Sequence, residues 1–235
     1  MESFWINNPE KYSEIECESR KYILHPKIRD IIHENNPKRI LDYGCGDGSL
    51  ISGIKEKINI SIYDISTKSL SLAIKKYSNR QLNVFYKRSE IPEDSFDVVV
   101  FSLVLMTISS KDKIANEFLK IYQTLKENGI VIFGITHPCF RQFKFSSFHT
   151  SFSDSEKFNY IDEGKKFQVT LNDPLSTKSI SFYDYHWTLS TTLNLIIESG
   201  FQIQKVFELP DKSCAESYVN KLIPPYLLIV GKKSK

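Results

Sequence analysis

The stretch Ile40-Leu41-Asp42-Tyr43-Gly44-Cys45-Gly46-Asp47-Gly48-Ser49 decides the fold of this 235-residue chain. Branched apolar residues lead into it, as in a buried strand, and the three alternating glycines allow a sharp turn. Glycine also lacks a β-carbon, so a ligand can lie directly against the backbone there. The residues after the turn predict a helix with Leu50, Ile51 and Ile54 on its buried side. A strand, a glycine-rich turn and a helix start together predict a cofactor-binding site.

The spacing of the glycines distinguishes two kinds of cofactor. A dinucleotide-binding turn needs a glycine or alanine at Ser49, and a diphosphate disfavours a carboxylate as close as Asp42. An ammonium group favours that carboxylate. The stretch resembles the first motif of the class I S-adenosylmethionine (SAM)-dependent methyltransferases, in which such an acid lies near the amino group of the methionine moiety. An ordinary tight strand–helix turn is the alternative reading.

The later segments extend this resemblance, in order, from residue 40 to residue 232. Strands one to five are separated by helices or loops, which favours right-handed crossovers and a parallel sheet. No long crossover helix separates the last two strands, which favours an antiparallel closing pair. The expected fold is therefore α/β, a Rossmann-like, doubly wound, seven-stranded sheet that is mostly parallel, with an antiparallel last strand. After the first strand, the remaining six are predicted at 59–64, 82–86, 96–101, 130–135, 201–208 and 226–231.

The chain is predicted to form one class I methyltransferase domain over residues 1–235, with two additions to the sheet. Residues 1–38 are predicted to form helices, either as a lid over the cofactor or simply packed on the domain. Residues 137–180 follow strand five and contain many aromatic residues. We expect them to form a cap over the substrate pocket, and a surface elaboration without substrate contact is the alternative.

The resemblance implies SAM as the cofactor, S-adenosylhomocysteine as its product, and a set of contact residues. Asp64, at the end of the second strand, is placed to accept hydrogen bonds from the ribose hydroxyls. After strand three, where the family often has an aspartate for the adenine amino group, this chain has Lys87-Arg88-Ser89-Glu90, and Ser89 is taken as the substitute. The predicted cofactor-binding residues are Asp42, Gly44, Gly46, Asp64, Ile65, Ser89 and Ser102.

Three side chains are candidates for catalysis on the substrate side. His137 directly follows strand five, where ligands bind in doubly wound sheets. Tyr183 and His186 precede a helix whose start faces the substrate in similar small-molecule methyltransferases. A protonated nucleophile such as a phenol or amine needs a base, which His137, His186 or Tyr183 would supply. Alternatively, Arg141 and Lys144 would bind an anionic substrate.

Composition limits the other functional classes. A net charge of +3 is too small to indicate nucleic-acid binding, and no apolar run is long enough to cross a membrane. The four cysteines are scattered and no compact acidic cluster is found, so no metal site is predicted. The cysteines are Cys17, Cys45, Cys139 and Cys214. We expect a cytoplasmic monomer or homodimer without a signal peptide.

The predicted function is transfer of a methyl group from SAM to an oxygen or nitrogen atom of a small molecule, with specialised metabolism as one setting. Two alternatives remain at this stage. The chain could methylate RNA or protein, although strand four lacks an Asn/Asp-Pro-Pro-Tyr motif. It could also bind SAM without catalysis, because the cofactor motif alone does not require turnover.

Overall fold

A computed structural model describes residues 2–15, 17, 19–145, 148–152, 158–173, 178–209 and 223–234. Cys214 lies outside these residues. The helices are α1 (Glu2–Asn7), α2 (Pro9–Ser13), α3 (His25–Glu34), α4 (Thr67–Lys76), α5 (Lys111–Thr124) and α6 (Leu189–Glu198). The strands are β1 (Arg39–Tyr43), β2 (Asn59–Tyr63), β3 (Leu82–Phe85), β4 (Phe96–Ser102), β5 (Leu125–Thr136), β6 (Phe148–Ser151), β7 (Lys166–Asn172), β8 (Ser179–Tyr185), β9 (Phe201–Leu209) and β10 (Tyr226–Lys233).

Seven strands form the central sheet in the order β3-β2-β1-β4-β5-β10-β9. The strands from β1 to β5 run parallel to one another, and β10 is antiparallel to both β5 and β9. This arrangement confirms the predicted fold class, including the antiparallel closing pair. Among the described residues, no helix is long and apolar enough to cross a membrane.

The two faces of the sheet build two hydrophobic clusters, because successive residues of a strand point to opposite faces. In β4, Val98 and Val100 belong to one cluster, which also contains residues of α3 and α4. Val99 and Phe101 belong to the other, which also contains residues of α5 and α6. Burial on both faces explains why β4 is apolar along most of its length. The covered sheet fixes the positions of the loops at its strand ends.

The segment after the glycine turn differs from the prediction. Instead of a helix, the chain forms a single 3-10 turn, Ser49–Ile51. Gly48 and Gly53 flank this turn with φ angles of 73° and 83°, in the left-handed region that ends helices. The apolar residues Leu50, Ile51 and Ile54 are buried as expected. The pattern therefore indicated burial correctly and the predicted helix was wrong.

The inserted segment contains a second sheet, formed by the antiparallel strands β6, β7 and β8. This sheet extends to Tyr185, five residues beyond the predicted end of the cap at residue 180. Helices α1 and α2 pack against it through an aromatic cluster. The ring centroids of Phe4, Trp5 and Tyr12 lie 5.5, 4.8 and 6.1 Å from that of Phe182 in β8. The N-terminal helices and the inserted sheet thus form one packed layer.

Candidate functional site

A cavity of about 610 Å³ lies at the carboxyl ends of β1, β2 and β4. Ligands in open α/β sheets bind at this edge, because the loops after parallel strands converge there. The glycine turn forms one wall of the cavity, and residues of α2 and of the segment before α3 form another. Lining residues that were predicted to bind the cofactor are Asp42, Gly44, Gly46, Asp64, Ile65 and Ser102.

The glycine turn is held in a conformation that larger residues would disturb. Gly44 has a φ of +84°, and a β-carbon there would lie 2.4 Å from Cγ2 of Val104. Gly46 has a φ of +55°, and a β-carbon there would meet nothing within 4 Å. The Gly46 amide donates a hydrogen bond of 2.8 Å to Oδ2 of Asp64. The turn therefore joins the ends of β1 and β2 and leaves its backbone open to the cavity.

Two buried carboxyl groups face the cavity from these strand ends. Burial, together with the carboxylates of Asp64 and Asp47, raises the pKa of Asp42 to about 7. Burial also raises the pKa of Asp64, although hydrogen bonds from the amides of Ser66 and Gly46 oppose the rise. Ser66 caps α4 with its own hydroxyl, which accepts from the Ser69 amide at 3.2 Å. The alternative role of Asp64 as the cap of that helix is thus filled by Ser66.

A cationic side chain from the N-terminal segment completes this end of the cavity. Arg20 lines the cavity, and its Cζ lies 4.9 Å from the ring centroid of Tyr12. Burial by itself would lower the pKa of Arg20, but Tyr12, Cys17 and Asp47 raise it on balance. The guanidinium therefore remains charged beside the buried acids. Sequence reasoning did not single out Arg20, because nothing local to residues 1–38 shows which side chain turns inward.

The described residues fit SAM. Asp42 offers a carboxylate to an ammonium group, Arg20 offers a guanidinium to a carboxylate, and Asp64 offers carboxylate oxygens to a ribose diol. Oγ of Ser102 is buried and has no hydrogen-bond partner among the described residues, so a ligand can satisfy it. Within the same ranges, no group of three or more His, Cys, Asp or Glu side chains is placed to hold a metal ion.

The opposite end of the cavity differs from the prediction at Ser89. Ser89 is exposed and is not among the lining residues, whereas Arg88 is. Arg88 forms a 2.6 Å ion pair with Glu117 of α5, and the Tyr43 hydroxyl donates to the same carboxylate. The carboxylate of Glu90 accepts from two backbone amides and closes the turn, which turns Ser89 away from the cavity.

None of the three predicted catalytic side chains lines the cavity. His137 is buried, with Nε2 3.0 Å from Oε1 of Glu208, and burial lowers its pKa. His186 is fully buried, with Nε2 2.7 Å from the carbonyl oxygen of Tyr160, and burial lowers its pKa as well. Tyr183 is exposed on the outer face of β8, and its ring centroid lies 4.0 Å from Nζ of Lys166. Each of the three residues thus has a contact with another part of the protein and lies outside the lining of this cavity.

A second, smaller cavity of about 40 Å³ adjoins the first. Trp5, Tyr12, Arg20 and Leu103 line both cavities. The remaining lining residues come from the inserted sheet, from the strand ends of the central sheet, and from the segments beside them. They are Cys17, Met106, Thr136, Phe148, Val169, Leu171, Phe182, Asp184 and Tyr226.

Asp184 is a residue of this small cavity that sequence analysis missed. It lies in β8, between the predicted candidates Tyr183 and His186, on the strand face that buries Ile180 and Phe182. A signal was present, because period-two alternation assigns residues 180, 182 and 184 to one face. Only the fold shows that this face turns toward the cofactor site.

The fold and the site define a class I methyltransferase. A sequence model of a methyltransferase-domain family matches residues 34–173, which is more than half of the chain. The chain therefore belongs to this methyltransferase-domain family, and the predicted resemblance is confirmed.

Individual proteins agree with this assignment. The chain is 26% identical over 232 residues to an uncharacterized Haemophilus influenzae protein, covering 90% of this chain and 87% of that protein. It is 29% identical over 130 residues to a putative methyltransferase of a Geobacillus species; this match covers 53% of the chain and 52% of the relative. The chain thus matches about half the length of the Geobacillus relative.

Solved structures share the fold over most of the chain. A SAM-dependent methyltransferase from Clostridium acetobutylicum superposes with a TM-score of 0.66 at 17% identity, covering 98% of this chain and 97% of that one. An amino pentose methyltransferase from Micromonospora echinaspora, solved with SAM bound, superposes with a TM-score of 0.60 at 13% identity, covering 90% of each chain. A putative SAM-dependent methyltransferase from Listeria monocytogenes is 26% identical and superposes with a TM-score of 0.59, covering 86% of this chain and 97% of that one. Together with the family, this similarity confirms SAM as the predicted cofactor.

Proposed function

We propose that this protein transfers the methyl group of SAM to an oxygen or nitrogen atom of a small molecule. The observation that carries the proposal is the small cavity beside the cofactor cavity, roofed by the inserted sheet and the N-terminal helices. An acceptor atom must enter a space of about 40 Å³ lined largely by apolar and aromatic side chains. Such an enclosed space suits the reactive end of a small molecule.

In this proposal the ends of the cofactor are held by groups of opposite charge or complementary hydrogen bonding. Asp42 binds the ammonium and Arg20 the carboxylate of the methionine moiety, while Asp64 accepts from the ribose hydroxyls. Gly44 and Gly46 let the cofactor lie on the backbone, and Ile65 and Ser102 border it. Arg88 takes the place in the lining that sequence analysis gave to Ser89.

When bound, SAM supplies an electrophilic methyl group attached to a positively charged sulfur. The protein's contribution is to orient the acceptor and exclude water. Leu103, which both cavities share, lies in the loop after β4 with a φ of 59°. Trp5 and Tyr12, from the N-terminal helices, also line both cavities and enclose the junction between them. SAM and the methyl acceptor would therefore meet where the two cavities adjoin.

Calorimetric titration of the wild type and of Asp64→Ala with SAM and S-adenosylhomocysteine tests the cofactor site. We expect micromolar binding that the variant loses, while Asp162→Ala, which removes an exposed acid, retains it. Unfolding curves of all three proteins control for folding. Absence of binding to the wild type would contradict the proposal.

A second measurement separates the acceptor classes. Radiolabelled SAM is incubated with the protein and with panels of small amines, alcohols, phenols and carboxylates, and in parallel with bulk RNA and denatured protein. We expect label in a small-molecule panel. Label found only in RNA or protein would instead favour an RNA or protein methyltransferase. Binding of SAM without methyl transfer to any panel would favour a non-catalytic SAM-binding protein.

A further inference from the structure

Asp184 is a buried carboxyl group with an unsatisfied oxygen inside the small cavity. Its side chain is 4% exposed, and Oδ1 has no hydrogen-bond partner in the part of the chain that the structure describes. It also lines the cavity. A buried carboxylate without a partner is costly, so its presence needs an explanation. A ligand group that donates a hydrogen bond to Oδ1 would remove this cost.

The neighbouring arginine does not supply that hydrogen bond. Arg141 is close enough to Asp184 to oppose the rise of its pKa, but among the described residues neither Nε of Arg141 nor Oδ1 of Asp184 has a hydrogen-bond partner. Its Nη1 donates to the Thr136 hydroxyl, and its guanidinium lies 4.7 Å from the ring centroid of Phe167. The described contacts of Arg141 thus go to Thr136 and Phe167, and Oδ1 of Asp184 has no donor in the described part of the chain.

The aromatic walls of the small cavity suit a protonated amine. Trp5 and Phe182 have ring centroids 4.8 Å apart, and Trp5 and Tyr12 have centroids 5.1 Å apart. Aromatic side chains beside a carboxylate form a recurring environment for ammonium groups. Arg20 also lines the cavity, and its positive charge is offset if it binds the carboxylate of the methionine moiety, as proposed above.

We propose that the small cavity receives an amino group of the methyl acceptor and that Asp184 binds this group and takes its proton. The inference rests on the methyltransferase function proposed above and narrows the acceptor class to amines. An amine enters as an ammonium ion and gives one proton to the Asp184 carboxylate, which frees the nitrogen lone pair. That lone pair forms the nitrogen–carbon bond, and the carbon–sulfur bond breaks with its electron pair remaining on sulfur. The methylated ammonium product leaves, and the carboxyl group then releases its proton to water.

The charge state of Asp184 is compatible with this role. Burial raises its pKa to about 7, while Arg141 opposes the rise. The other titratable groups that face it around the cavity are Tyr12, Cys17 and Arg20 from the N-terminal segment and Tyr226 from β10. A group that ionises near neutrality can both attract an ammonium ion and accept its proton.

Sinefungin is a suitable probe, because it carries an amino group where SAM carries its transferable methyl group. The measurement is the ratio of sinefungin affinity to S-adenosylhomocysteine affinity, by calorimetry, in the wild type and in Asp184→Asn. We expect the variant to bind sinefungin about tenfold more weakly, because the charged acceptor of the sinefungin ammonium is replaced by a neutral amide. Its affinity for S-adenosylhomocysteine should be unchanged, which also shows that it folds. Asp162→Asn, an exposed acid of the same inserted segment, is the matched control.

A wild-type measurement makes the test independent of any variant. Between pH 6 and pH 8 Asp184 ionises, so the affinity ratio should rise with pH. Asp42 cancels from this ratio, because both ligands carry the same amino-acid ammonium. A ratio that is flat with pH, or equal in the wild type and Asp184→Asn, would overturn the role of Asp184. Failure of the wild type to bind either ligand would instead overturn the proposed function, and the inference with it.

Discussion

At the scale of single residues, Asp42 couples cofactor binding to pH. Its pKa is raised to about 7 by burial and by the carboxylates of Asp64 and Asp47, so in the free protein it is largely protonated at pH 6. Binding the ammonium of the methionine moiety favours the ionised form, and the proton must leave. Affinity for S-adenosylhomocysteine should therefore weaken below neutrality, approaching about tenfold per pH unit.

Calorimetry between pH 6 and pH 8 measures this dependence. Asp42→Asn should bind more weakly at pH 8 and should lose most of the pH dependence, because the titrating group has been removed. A wild-type affinity that is constant over this range would show that Asp42 does not face the ammonium.

Replacement by alanine is expected to have different consequences at two glycines of the turn, Gly44 and Gly46. Gly44→Ala places a β-carbon 2.4 Å from Cγ2 of Val104 at a φ of +84°, and should lower the free energy of unfolding by about 2–3 kcal/mol. Gly46→Ala meets no atom within 4 Å and should cost only about 1 kcal/mol for its left-handed backbone. Denaturant unfolding compares the two. The Gly46 variant should still lose cofactor affinity, because its methyl group projects into open space beside the bound ligand.

The residues that contact the cofactor cavity were predictable to different extents. Asp42 and Asp64 lie at the carboxyl ends of buried strands, so their position at one sheet edge follows from the parallel topology. His137 was predicted from its position after strand five, and His186 from the resemblance to small-molecule methyltransferases. Their rings are held by Glu208 and by the Tyr160 carbonyl, partners that are distant in sequence. No local pattern reports such contacts, and these determine which way a side chain points.

At the scale of secondary-structure elements, the N-terminal helices and β8 act as one unit over the cavities. Trp5 lines both cavities and packs on Phe182, and its Nε1 is buried without a partner among the described residues. The chain has two tryptophans, so Trp187→Phe leaves Trp5 as the only tryptophan, whose emission can be excited selectively over that of tyrosine. We expect S-adenosylhomocysteine to reduce acrylamide quenching of Trp5 in this variant, because the ligand covers its cavity face.

The matched control for this prediction is Trp5→Phe, in which Trp187 is the fluorophore. Trp187 is 5% exposed and donates to the Ile108 carbonyl at 3.1 Å, so its quenching should change little on binding. Equal changes for both tryptophans would argue against a specific lid role for the N-terminal helices.

Element type was predictable where burial alone determines it. Strand β4 is buried on both faces and reads as an apolar run, and β1 and β2 likewise follow from their apolar residues. The segment after Gly48 has equally apolar residues but forms only a 3-10 turn, because the left-handed glycines on both sides leave it too short for a helix. The spacing of apolar residues therefore predicts which side chains are buried. It does not predict the backbone conformation of a short segment between two glycines.

At the scale of the whole molecule, the cavity ties the sheet edge, the N-terminal helices and the inserted segment together. A ligand that binds only this assembled site stabilises the folded state by about 2.7 kcal/mol at a concentration one hundred times its Kd. For a domain of this size, that corresponds to a rise in Tm of about 5–10 °C. SAM and S-adenosylhomocysteine should both produce it, whereas NAD should not, because Asp42 disfavours a diphosphate at the glycine turn.

Thermal unfolding of the wild type and of Asp42→Asn separates this electrostatic argument from simple fit. If Asp42 provides the selectivity, its neutralisation should reduce the rise in Tm with S-adenosylhomocysteine and leave the Tm without ligand equal or higher, because a buried acid has been removed. A rise in Tm with NAD in the wild type would mean that the glycine spacing does not distinguish the two cofactors. An unchanged response of the variant to S-adenosylhomocysteine would shift the selectivity to Arg20 and Asp64.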